Sequence, residues 1–175
     1  KGALRGTAMH RAMECFDINM LVDSVNKSDD IKKEISRCTD EGLFDEEIAE
    51  LLGLNKLETF YGCSLASRMA DANTKGLLFK ERPFVMEIAA DEIGEKSSGG
   101  ENVLIQGIID AYFIEDNEIV VLDYKTDKVE NEEELIGKYK LQLDLYARAL
   151  KNALGLPVKQ CILYSFNLGK EIYLR

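Results

Sequence analysis

Two aspartates and a lysine set in apolar runs are the residues of this chain best placed to do chemistry. Asp110 closes Gly107-Ile108-Ile109-Asp110, and Asp123 and Lys125 fall in Leu122-Asp123-Tyr124-Lys125. A carboxylate inside a strand is costly unless it is paired or metal-bound. Asp123 and Lys125 are two apart, so both project from one face of a strand. Asp110 belongs to the preceding strand of an expected hairpin, and neighbouring strands run about 4.8 Å apart, so the two carboxylates can converge. Such a pair beside a lysine suits a hard divalent cation working on phosphate: Mg²⁺ prefers oxygen ligands, and a bound ion acidifies water and screens a phosphate. Lys125 would orient that water or stabilise added negative charge. The plainer alternative is a structural Asp–Lys pair at a strand end.

The elements that must position these residues form a helical first half, residues 1–76, and a strand-rich second half, 77–175. Helices are expected from Thr7 to about Asp23, from Ser28 to Cys38, after an Asp45 cap to Gly53, and from Lys56 to Ala72. FKERPFVMEIAADE is a strand with Pro83 near its start, which fits a sheet edge. VLIQGIIDAYFI and EIVVLDYKTD make the hairpin around Glu115–Glu118. A helix from Glu132 to Leu154 ends at Gly155, and two short strands follow around Leu168-Gly169. The segment Gly94–Asn102 is a loop whose GEKSSGG lacks the GxxxxGK[ST] spacing of a phosphate loop. The whole reads as a single α/β domain, 1–175, with an N-terminal helical elaboration.

Composition narrows the rest. Four scattered cysteines without CxxC spacing argue against an iron–sulfur cluster or zinc site and fit a reducing cytoplasm. No run of about eighteen apolar residues is present, so no membrane partner is expected. With one histidine, His10, two-histidine metal motifs and a serine triad lose their footing. A net charge of −10 runs against a nucleic-acid surface, unless the acids gather at metal ions or a basic partner holds the strand. The opening KGALRGTAMH suggests a piece of a longer chain.

Five motifs in order resemble the RecB-like branch of the PD-(D/E)XK nucleases. They are Gly6-Thr7-Ala8-Met9-His10, Glu81-Arg82-Pro83-Phe84, Asp110, Asp123-Tyr124-Lys125 and Gln142-Leu143-Asp144-Leu145-Tyr146. Within that branch KGALRGTAMHRAMECFD and VVLDYKTDKV are similar to the C-terminal nuclease domain of AddA-type helicase–nuclease proteins. The resemblance implies a restriction-endonuclease-like core, a mixed sheet flanked by helices. It implies His10, Asp110, Asp123 and the backbone carbonyl of Tyr124 as ligands of Mg²⁺, with Mn²⁺ also acceptable, and Asp110, Asp123 and Lys125 as the catalytic set. Gln142 and Tyr146, four apart on one helix face, would stand near DNA and Lys125. Core packing is the alternative for Tyr146. Glu87 is a further acidic candidate, with Glu81 and Asp91 as competitors, and Glu14 could orient the imidazole. The resemblance also implies an upstream helicase domain, a bacterial cytoplasm, an AddB-type partner protein, and cutting of single-stranded DNA during double-strand-break repair. A nuclease fold without catalysis, positioning DNA or contacting a partner, is the competing reading.

Overall fold

Residues 2–93 and 102–174 are described by the computed structural model. The GEKSSGG loop falls outside them. The strands β1 (Leu78–Ala89), β2 (Asn102–Glu115), β3 (Glu118–Lys125), β4 (Val158–Ser165) and β5 (Lys170–Tyr173) lie in that order across one sheet. Every pair is antiparallel except β3–β4, which is parallel. Pro83 sits on the edge strand β1, where a missing N–H is tolerated. The β2–β3 hairpin turns through Asp116 and Asn117, both at positive φ (53° and 64°), the twist that suits a two-residue turn.

Parallel neighbours need a crossover, and the helix α7 (Glu132–Leu154) supplies it between β3 and β4. Asn131 caps α7 through the Glu134 N–H, Glu132–Glu134 sit at the positive end of its dipole, and Gly155 closes it at φ 67°. One sheet face packs Ile109, Tyr112, Val121 and Leu163 against Leu135, Leu143, Tyr146 and Leu150 of α7. The other packs Ala111, Phe113, Leu122 and Tyr124 against the N-terminal helices. Mixed sheet and flanking helices make a restriction-endonuclease-like core. Among the described residues no helix is long and apolar enough to cross a membrane.

The N-terminal helices are more broken than the sequence periodicity predicts. The first expected helix is two, α1 (Gly2–Cys15) and α2 (Ile18–Asp23), because the Asp17 carboxylate caps α2 by accepting from the Met20 N–H. Next come α3 (Lys27–Asp40) and, after the Asp45 cap, α4 (Glu46–Leu51). The long helix expected to Ala72 is also two, α5 (Leu54–Tyr61) and α6 (Ser64–Thr74). Gly62 ends α5, and Glu171 of β5 accepts from the Leu65 N–H and the Ser64 hydroxyl, capping α6 from a distant strand. Lys80 Nζ donates to the carbonyls of Glu14 and Phe16, and Arg37 to that of Cys15. These cations cap the negative end of α1, the helix that carries His10.

Candidate active site

The sheet opens at Asp110. The β2–β3 ladder runs from Glu115↔Glu118 to Ala111↔Leu122 and stops there. On the other side β1 pairs Lys80 with Ala111 and Arg82 with Ile109, and between them Glu81 takes φ 49°. Residues two apart in a regular strand share a face, yet Ile109 packs with α7 and Ala111 with the N-terminal helices, so β2 changes face at Asp110. The break frees the Tyr124 N–H, which donates to Asp110 Oδ2 at 2.8 Å.

His10 reaches this opening from α1. Its Nδ1 lies 3.3 Å from Asp110 Oδ1, and its Nε2 donates to the Tyr124 carbonyl at 3.0 Å. Both ring nitrogens face acceptors, which only an imidazolium satisfies fully. Burial disfavours that charge, but the Asp110 hydrogen bond and the fields of Asp110 and Asp123 leave the pKa raised. The same fields would attract a metal cation in place of the proton. Ligand atoms of His10, Glu81 and Asp110 all lie within 4.8 Å of one another. Burial and the Asp110 charge raise the Glu81 carboxyl as well.

Asp123 is 1% exposed. Lys125 Nζ stands 2.6 Å from its Oδ2, yet that oxygen has no aligned hydrogen-bond partner among the described residues. The contact is therefore an ion pair, not a directed hydrogen bond. Burial first, and the Asp110 charge second, push the Asp123 carboxyl up to about 7 despite Lys125. A buried, under-satisfied carboxylate beside two others fits a cation-binding role, and an oxygen-rich set with one imidazole fits a divalent ion.

Lys125 also donates to Gln142 Oε1 at 3.1 Å and lies 3.9 Å over the Tyr139 ring. Gln142 Nε2 donates to the Tyr146 hydroxyl at 2.8 Å, so the QxxxY pair forms a hydrogen-bonded chain to the lysine. Tyr146 is nevertheless part of the core beneath α7, so the packing and polar alternatives hold together. Phe84 meets the Tyr146 ring edge to face at 5.3 Å. Phe84 in turn covers Gly107, where an added Cβ would come 2.9 Å from Phe84 Cε1. Gly107→Ala is therefore expected to lower stability by about 1–3 kcal/mol through overpacking. A thermal melt of the variant checks this, and an unchanged midpoint would refute the packing argument. Gly6 plays a similar part, since its Cβ would lie 3.1 Å from Thr126 Oγ1, so its absence lets α1 close on the end of β3.

His10, Asp110, Asp123, Lys125, Gln142, Tyr146 and the Tyr124 carbonyl thus come together. Glu87 does not: it is exposed on β1 opposite Leu104, and Glu81 stands at the centre instead. Asp91 is exposed in a 3₁₀ turn, and Glu14 pairs with Arg11. Tyr139 was missed, although its spacing of three before Gln142 puts it on the same helix face.

The family described as the PD-(D/E)XK nuclease superfamily matches residues 1–173. The large ATP-dependent helicase/nuclease protein of Clostridium perfringens (strain ATCC 13124) is 38% identical over 177 residues, covering 97% of this chain and 14% of that protein. The protein of the same name from Lachnoclostridium phytofermentans is 35% identical over 210 residues, covering 100% and 15%. That from Clostridioides difficile is 34% identical over 183 residues, covering 98% and 14%. The chain spans about one seventh of the length of these relatives.

Proposed function

Because the chain belongs to the PD-(D/E)XK nuclease superfamily, we propose that it is a Mg²⁺-dependent deoxyribonuclease, with Mn²⁺ an effective substitute. The observation that carries this reading is the convergence of His10, Glu81 and Asp110 within 4.8 Å, beside the under-satisfied Asp123 and its lysine. His10, Asp110, Asp123 and the Tyr124 carbonyl, with Glu81, would hold the ion. When bound, it acidifies a water and screens the scissile phosphate. Asp110 stays oriented through the Tyr124 N–H, and His10 gives up its extra proton to become a neutral ligand. Lys125, held by Gln142, presents N–H donors to the phosphate oxygens where charge accumulates as water attacks phosphorus and the P–O ester bond breaks. Gln142 and Tyr146 line the side of the site next to the DNA.

The relatives' printed name joins a helicase to a nuclease. We extend that to this chain as one nuclease domain, 1–175, of a longer bacterial cytoplasmic polypeptide. Its helicase portion feeds single-stranded DNA to the site, an AddB-type protein is its partner, and the setting is repair of double-strand breaks by recombination. A strand delivered mechanically needs little long-range capture, which reconciles a phosphate substrate with the net charge of −10.

Labelled single-stranded DNA incubated with the chain and Mg²⁺, Mn²⁺ or EDTA tests the reading. Cutting with either ion and none in EDTA is expected. Equal cutting in EDTA would overturn the metal-dependent mechanism. A folded chain that binds divalent ions and DNA without cutting would make it a silent positioning module.

A further inference from the structure

We propose that Tyr139, clamped by Asp127, is a positioning residue that fixes the Lys125 ammonium for the reaction; this rests on Lys125 acting at the scissile phosphate. Three groups touch that ammonium: Asp123 Oδ2 at 2.6 Å, Gln142 Oε1 at 3.1 Å and the Tyr139 ring face at 3.9 Å. Asp123 is a poor anchor, because a divalent cation draws on the same charge. Once the ion is bound, the pull of Asp123 on Lys125 weakens and the four-carbon stem is free to swing. A second carboxylate near the amine would restore the grip, but it would neutralise Lys125 or compete for the metal. An aromatic face attracts the ammonium and does neither.

The ring is itself held. The Tyr139 hydroxyl donates to the Asp127 carboxylate, whose two oxygens lie 2.9 and 3.0 Å away, and Lys138 pairs with the same carboxylate. Asp127 comes two residues after Lys125, so the end of β3 and the second turn of α7 brace each other twice, once through each residue. Asn167 Nδ2 donates to the Val129 carbonyl at 3.1 Å and ties down the intervening loop. A ring that only filled space would need no such clamp.

Two variants and two readouts decide the matter. Tyr139→Leu is expected to lower kcat on the order of tenfold, with KM for DNA and the metal midpoint changed by less than about threefold. Tyr139→Phe keeps the ring and loses only the clamp, so it should retain kcat within about threefold. In parallel, proton NMR should find the Lys125 ε-methylene displaced upfield by the ring in wild type and in Tyr139→Phe, and at ordinary lysine shifts in folded Tyr139→Leu. Undisplaced Lys125 protons in wild type would overturn the placement whether or not the protein cuts DNA. Displaced protons with an unchanged kcat in Tyr139→Leu would overturn the positioning role while leaving the nuclease reading intact. Absent metal-dependent cutting in wild type would count against the nuclease reading and, with it, against this role.

Discussion

Asp123→Asn is expected to abolish metal-dependent cleavage and, without divalent cation, to make the fold more stable. The two effects share one origin. Asp123 is 1% exposed, next to Asp110, and its carboxyl is pushed up to about 7 from an ordinary value near 3.8. The folded protein therefore holds this proton more tightly than the unfolded chain. The Asp123 contribution to stability is greatest below the unfolded pKa, falls as pH rises from about 4 to about 7, and is flat above that, a loss on the order of a few kcal/mol. Asparagine keeps the shape and removes the titration. Lys125 then loses its ion pair but keeps Gln142 and the Tyr139 ring, so only part of the gain is offset. In EDTA at pH 8 the variant should melt above wild type, and the difference should shrink toward pH 4. Saturating divalent cation should reverse the order. Wild type gains about 2.7 kcal/mol at a hundred times the dissociation constant, and the variant gains little. A variant that melts below wild type in EDTA at pH 8 would show that Asp123 is a structural partner of Lys125 instead of a site kept for a cation.

What could be seen in advance follows from how local each feature is. The placement of Asp123 and Lys125 on one strand face needs only the two-residue period, and that of Gln142 and Tyr146 only the helical one. Gly155 and Asp45 act within their own chain turns. Glu81 was harder. Along an unbroken strand, Glu81 and Glu87 share a face, and nothing in the residue types shows that φ turns positive at Glu81 and that the ladders part on both sides of Asp110. The helix breaks were equally hidden. Asp17 is compatible with a helix interior until its carboxylate finds the Met20 N–H, and the α6 cap comes from Glu171, more than a hundred residues away. Tyr139 was within reach of helical spacing, but its meaning depends on where Lys125 points, which is tertiary information.

Lys125→Met is expected to lower kcat by about 10²–10³-fold, the usual loss when one donor to a developing oxyanion is removed. Its effect on the metal should depend on pH, because Lys125 acts on the ion in two opposed ways. As a cation 2.6 Å from Asp123 Oδ2 it repels a metal ion, and it also helps keep Asp123 ionised. Removing the charge relieves the repulsion but raises the Asp123 carboxyl further above about 7, so protons compete better for that oxygen. Near pH 9, where Asp123 is ionised in both proteins, the variant should bind Mn²⁺ at least as tightly as wild type. Near pH 6 it should bind more weakly, giving a steeper dependence of affinity on pH. Titration calorimetry at the two pH values measures this directly. Parallel pH profiles would mean that Lys125 does not sense Asp123 in solution, and an unchanged kcat would remove it from the chemistry. Methionine keeps most of the stem's volume against Tyr139, so a lost kcat with an intact melt can be assigned to the missing charge and its N–H donors.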